Sequence, residues 1–322
     1  MDIRLNFKPF NLFWMDCQFN TLFSILTSID KSYKAAALLN DYSYAVKQEP
    51  TPNDICYNEV FIVNTIKNGD AFKEKFFPQQ TTLNFKHDEN YIELIKDSIR
   101  NNEIVMVGVD LFYWIPNSVC WNKHHWEHYA YINGYNHEKG IFYVFDENFY
   151  GFGEFEVPQD RMMKAIESSP LEPHAIVYKL CKCTDKYELA ISEVRDNAKR
   201  LIEEITEIMP LDFWLLSEKD FTEGHMCDFI STHLFQIINR HIANQLLINE
   251  LEDKIGNQQF KNELEKYCIE LQDGWNQVKT KLVKIYYSTN RELLVHNLNQ
   301  KCKDLFLKEI KMWDAFLRYT NY

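Results

Sequence analysis

The segment from His128 to Asp146 constrains this chain more than any other. Residues 128–135 and 141–146 each read as a β-strand, and the polar stretch 136–140 between them ends in glycine, which suits a hairpin. The second strand is continuously apolar over "IFYVF", the pattern of a strand covered on both faces. A carboxylate at the end of such a strand, Asp146, needs a partner. If Tyr135 pairs with Ile141, Ala130 faces Asp146 and His128 lies one diagonal step away on the same face. The carboxylate then orients the imidazole and stabilises its charged form. A slip of one residue would split the pair between the two faces.

A second signal lies more than a hundred residues upstream. In "FWMDCQFNTLFSIL", Asp16 is a good N-cap, because its carboxylate can accept the free amides of a first helical turn. Phe19, Leu22, Phe23, Leu26 and Ile29 follow at helical spacing and form one apolar stripe. Cys17 therefore opens the helix, where the positive end of the dipole favours thiolate, the nucleophilic form. Cysteine on a helix, histidine on one strand and aspartate on the next is the arrangement of an activated sulfur nucleophile.

Size and charge bound the alternatives. A chain of 322 residues has room for two domains. Hydrophobic residues make up 46% and charged residues 25%, as in globular proteins generally, while aromatics at 15% are plentiful enough for large cores or an aromatic cleft. A formal net charge of −12 argues against nucleic acid as the main partner and against an anionic membrane surface. No apolar run reaches membrane-spanning length, and the start "MDIRLNFKPF" lacks a secretory pattern. The eight cysteines are scattered, without a C-x-x-C pair, so reduced thiols and a cytoplasmic location are expected. Cys181 and Cys183 are expected on one face of a strand as packing residues.

The pattern changes along the chain. Residues 53–67 read as a helix through Ile55, Ile62, Val63 and Ile66, and residues 89–100 as another through Ile92, Ile95 and Ile99. "EIVMVGVD" is a buried strand, "PQDRMMKAIESS" a short helix opened by Pro158, and "HAIVYKLCK" a further strand. From Asp185 onward strand signals nearly vanish, and amphipathic helices are expected over 186–208, 225–252, 257–287 and 289–319, punctuated by Pro210, Gly224 and Gly256. The expected organisation is a mixed domain over 1–184 and a helical bundle or lid over 185–322.

Other motifs were weighed against this reading. "HHWEH" does not match H-E-x-x-H and precedes a strand, so no metal is expected, although His124 or His125 can line a cleft or compete with His128 as base. Aromatic density in "LFYWIPNSVCWNKHHW" makes Tyr113 and Trp114 candidates for contact with a flat or sugar-like substrate, and Asp110 for binding an amine. Neither Gly-rich phosphate loops nor G-x-S-x-G occur.

The order of these elements is similar to that of the papain-like cysteine-peptidase fold. More closely, "IVMVGVDLFYWIP", "HHWEHYAYINGYN" and "IFYVFDENF" resemble the N-terminal domain of the butirosin biosynthesis protein H family. The matching features are Gly108, Asp110, Tyr113, Pro116, His128, Gly134, Tyr135, Asn136 (where Asp is more usual) and Asp146, with "DCQFNTLFSIL" as the Cys-bearing helix. The resemblance spans residues 10–150. It implies an α+β, papain-like domain, an N-terminal helix packed on an antiparallel sheet, here followed by an all-α region. It further implies acyl transfer from a carrier-protein thioester to an amine in natural-product biosynthesis, of nonribosomal peptide or aminoglycoside type. Cys17 would be the nucleophile, His128 the base and acid, and Asp146 the orienter. Asn11, six residues before the cysteine, would stand at the oxyanion position with the Cys17 N–H, and Gln18 beside it. The implied partners are an acyl or peptidyl carrier protein and a small-molecule amine. The donor would ride on phosphopantetheine, with no permanently bound cofactor, and a homodimer is compatible with the sequence. A lysine patch at Lys303, Lys308 and Lys311 would suit an acidic carrier. The alternatives are a cysteine peptidase or amidase on the same fold, and a non-catalytic binding module with an inert Cys17.

Overall fold

A computed structural model describes residues 1–39, 42–50, 56–64, 69–85, 90–181, 185–211, 224–286, 288 and 291–320. The protein is mixed α+β, with an antiparallel sheet and a helical C-terminal region. It divides into two compact units, Met1–Lys34 with Asn68–Lys186, and Ala35–Lys67 with Tyr187–Tyr322.

In the first unit, β1 (Asp2–Arg4), β4 (Gln79–Asn84), β5 (Glu103–Asp110), β6 (Glu127–Asn136), β7 (Ile141–Asn148), β8 (Gly151–Pro158) and β9 (His174–Lys179) form one sheet. The order is β4-β9-β5-β6-β7-β8, with β1 alongside the end of β6, and every pairing is antiparallel. Its helices are α1 (Cys17–Ile29), α3 (Gly69–Phe76), α4 (Tyr91–Arg100) and α5 (Gln159–Glu167), while α2 (Tyr33–Leu39) crosses the boundary between units.

The apolar run of β7 is explained by two cores. Phe142 and Val144 pack with Ile92, Ile95 and Ile99 of α4, Val105, Val107, Val109, Trp114 and Ile132. Phe145 packs on the other side with Ile25 of α1, Ile104, Tyr131 and Phe152. The strand is thus covered on both faces, as its composition requires.

The hairpin register holds a correction. Asn136 pairs with Ile141 and Tyr135 with Phe142, one residue off the expected register. A bulge between Ile132 and Gly134 then absorbs Asn133, so that Tyr131 pairs with Phe145. At that end the register is the one in which Ala130 comes next to Asp146. The bulged Asn133 is held in place: its carbonyl accepts Leu5 N–H at 2.8 Å, and its side chain donates to Glu154 at 2.7 Å. Gly134 is required here, because a Cβ would come within 2.2 Å of the Ile3 carbonyl oxygen of β1.

In the second unit, β2 (Tyr42–Pro50) and β3 (Cys56–Asn64) form a two-stranded sheet beside α6 (Ile191–Ile208), α7 (Gly224–Ile255), α8 (Gln258–Tyr286) and α9 (Arg291–Tyr319). The helix expected over 53–67 is therefore a strand over 56–64; Ile55 and Ile66 of its expected apolar side lie outside the described residues. The run "YNEVFIVN" is β-branched and aromatic, and the Tyr-rich β2 pairs with it along its whole length. The segment 35–67, assigned to the first domain from sequence, groups with the helices. Glu204 of α6 holds it there, accepting Ser43 Oγ–H at 2.7 Å and Tyr44 N–H at 2.9 Å.

The buried centre of this unit is polar. Tyr42 and Tyr44 hydroxyls donate to Glu309 at 2.9 and 2.7 Å, and the Arg240 guanidinium lies 4.9 Å over the Tyr42 ring. His241 Nε2 stands 3.7 Å from the same carboxylate. Burial pushes Glu309 up to about 7 and His241 down to about 3. Cys181 lies beyond β9 and is exposed, which overturns its expected packing role; Cys183 is outside the described residues. Among the described residues no helix is long and apolar enough to cross a membrane.

Candidate active site

The site begins with the cap of α1. Asp16 is extended (φ −162°), and its carboxylate accepts the Phe19 N–H at 2.8 Å, so the helix starts at Cys17. The loop before it is fixed by a polar stripe on the same helix. Asn20, Ser24 and Ser28 stand four residues apart. Asn20 accepts Met15 N–H at 2.8 Å and donates to the Phe10 and Phe13 carbonyls, both at 2.9 Å. Ser24 and Ser28 accept the N–H groups of Phe10 and Lys8 at 2.7 and 2.9 Å. Asn20 is fully buried, and its hydrogen bonds match its inventory of donors and acceptors. The apolar stripe named these helix faces only in part: Phe23 and Leu26 are buried, while Asn20 and Ser24, unremarked in the sequence, are equally buried.

The structure brings Cys17, His128 and Asp146 together. Cys17 Sγ lies 3.7 Å from His128 Nδ1, across 111 residues of sequence. His128 Nε2 stands 3.3 Å from Asp146 Oδ2, within ion-pair distance but off the direction of a hydrogen bond. Asp146 is 2% exposed. Its Oδ2 accepts the Trp114 indole N–H at 2.7 Å and its Oδ1 the Glu147 N–H at 2.8 Å. Cys17 is half-buried. With the ring proton on Nε2 facing Asp146, Nδ1 presents a lone pair to the thiol, which suits proton removal from sulfur.

The electrostatics oppose one expectation. Burial pushes the Cys17 thiol above its ordinary value; His128 pulls it partly back, while Asp146 and Glu147 add to the rise. The helix-end position therefore does not by itself yield a standing thiolate. Burial disfavours protonating His128, yet the Asp146 carboxylate and the Cys17 sulfur outweigh it, and the ring's proton affinity is held well above that of free imidazole. The site thus places a thiol beside an imidazole of raised proton affinity.

The remaining expected site residues are distributed differently. Trp114 is fully buried and supports Asp146 instead of lining a substrate surface. Asp110, also fully buried, accepts the N–H groups of Phe112 and Trp126 at 3.0 and 3.2 Å and lies 2.6 Å from His125 Nδ1, so its carboxylate anchors this loop. His125 stacks on Phe112 with centroids 4.4 Å apart, and Tyr113 meets it edge-on and receives Lys164 Nζ at 4.2 Å from its ring centre. Gln18 is exposed on α1 next to the sulfur. Asn11 lines an open cleft with Lys8, Thr27, Ser28, Lys31 and Lys34. That cleft includes the C-terminal end of α1, about 15 Å along the axis from Cys17. The Cys17 N–H, in the first turn, is among the donors an α-helix leaves open. Among the described residues no group of His, Cys, Asp and Glu side chains is arranged to hold a metal ion.

No protein-family model and no curated protein matches the chain.

Two residues of the site were not singled out from sequence. They are Trp14 and Glu147. The Trp14 indole N–H donates to the Glu147 carboxylate, and burial pushes that carboxylate up to about 7.

Proposed function

We propose that the chain is a cysteine-dependent acyltransferase with a papain-like Cys–His–Asp site. The observation that carries this reading is the 3.7 Å approach of Cys17 Sγ to His128 Nδ1, with Asp146 at 3.3 Å from the other ring nitrogen. Distant segments that meet in the order nucleophile, base, orienter have the geometry of covalent catalysis. In the reaction, His128 takes the thiol proton as Cys17 attacks an acyl thioester. The tetrahedral adduct collapses to re-form the carbonyl, the donor thiolate leaves and takes up the proton from His128, and the acyl group rests on Cys17. An amine then attacks this new thioester, His128 accepts the amine proton, and the Cys17 thiolate leaves as the amide forms. Thioester exchange is nearly balanced in energy, and amide formation drives the second half.

The resemblance in sequence supports a carrier-bound phosphopantetheine thioester as donor and a small amine as acceptor. Such a donor has a long, narrow arm that suits a half-buried sulfur. The test supplies an acyl-pantetheine thioester with and without amine, and separates amide, free acid and starting thioester. Amide formation that requires Cys17 supports the transferase. Rapid release of free acid that ignores added amine replaces it with a hydrolase, and absence of turnover leaves a binding module.

A further inference from the structure

We propose that Glu147 is a positioning residue of the Cys17 site: it ties the loop that delivers the sulfur to the strand that carries Asp146. This rests on the reading of Cys17 as nucleophile and deepens it.

Glu147 directly follows Asp146 in β7, so alternation sends the two carboxylates to opposite faces of the strand. Asp146 meets Trp114 and His128. Glu147 instead accepts the indole N–H of Trp14, three residues before Cys17. The Trp14 ring packs against the cluster of Ile25, Tyr131, Phe145 and Phe152. The short loop 13–16 is therefore pinned at each step: Trp14 to Glu147, Met15 to Asn20, and Asp16 to the first turn of α1. Only the first of these pins reaches the sheet. It joins the sulfur to the carboxylate strand by a path independent of His128.

A carboxylate is an expensive acceptor for this purpose. An amide or a carbonyl would receive an indole N–H at lower desolvation cost. The groups facing Glu147 are Asp146 on its own strand, His128 from β6, Trp14 and Asp16 from the loop, and Cys17 from α1. Among these described neighbours, the His128 ring is the one able to carry positive charge. An ionised Glu147 therefore opposes the thiolate and favours the imidazolium, so the tie also sets the charge balance of the Cys17–His128 pair.

The experiment follows alkylation of Cys17 by iodoacetamide against pH, read by peptide mass spectrometry in the full chain, with exposed Cys181 as internal reference. Glu147→Gln keeps an acceptor for the indole and removes the charge; its Cys17 profile is expected to move to lower pH, with alkylation at pH 7 about threefold faster. Trp14→Phe keeps the charge and removes the tie. The sulfur then drifts from His128, the profile moves to higher pH, and alkylation at pH 7 slows by about threefold or more. Opposite shifts are not produced by loss of packing alone. If both variants reproduce the wild-type profile, or shift it in the same direction, Glu147 is only a packing residue and the proposal falls. If Trp14→Phe does not fold, Glu147→Gln decides, and an unmoved profile overturns it. Failure of the underlying reading looks different: wild-type Cys17 would be insensitive to His128→Ala.

Discussion

At the scale of single residues, burial and charged neighbours bear on the state of the sulfur. The first turn of α1 offers Cys17 a favourable dipole, but burial raises the thiol and His128 alone draws it down. His128→Ala is therefore expected to move Cys17 alkylation to higher pH and to lower acyl transfer by about 10²–10⁴-fold, the usual range for removing a general base. A pH–rate profile of the variant checks this; an unshifted profile contradicts it. Trp114→Phe tests the support of Asp146. It keeps an aromatic ring in the core and deletes the 2.7 Å N–H bond, so turnover, measured where the variant is fully folded, is expected to fall about tenfold, while the smaller ring and the lost bond lower the unfolding temperature by several degrees. Cys17, His128 and Asp146 could be picked out in the sequence because each sits at or near the end of a regular element. Trp14, Glu147 and Asn20 could not, since their roles arise from contacts between segments that no local pattern encodes.

At the scale of elements, two devices aim the site. One is the bulge at Asn133, without which His128 and Asp146 would fall on opposite faces of the sheet. Deleting Asn133 is expected to abolish His128-dependent acylation of Cys17 while leaving the sheet in place. Retained acylation, measured beside circular dichroism, would show that the register is set elsewhere. The hairpin was readable from alternation, yet the bulge was not, because a single extra residue leaves both strands looking regular. The other device is the polar stripe of α1. Asn20→Leu strands the Met15 N–H and two carbonyls, each costing about 1–3 kcal/mol when buried without a partner, so the unfolding temperature should drop by several degrees. A change under one degree would mean the loop finds other partners.

At the scale of the whole molecule, the C-terminal helices were legible from their periodicity, with ends displaced by a few residues. The excursion of residues 35–67 into the helical unit was not, because membership of a core depends on long-range partners such as Glu204 and Glu309. That buried centre makes stability depend on pH. Glu309 titrates at about 7 when folded, above the ordinary carboxylate value of 4.5, so the folded state holds its proton more tightly than the unfolded chain. Its contribution therefore declines as pH rises from 4.5 to 7, by on the order of 3 kcal/mol. His241, held near 3, has the opposite sign below 6.5. Comparing Glu309→Gln with wild type isolates the first effect: the stability of the variant relative to wild type should grow over that interval, and a constant gap would contradict it. The central claim is covalent and is tested on the intact chain. The full-length protein is mixed with an acyl-pantetheine thioester, and the acyl group is located by mass spectrometry. The account predicts acylation of Cys17 that disappears in His128→Ala, with exposed Cys181 indifferent to that change. No acyl group on Cys17, or equal acylation with and without His128, would contradict it.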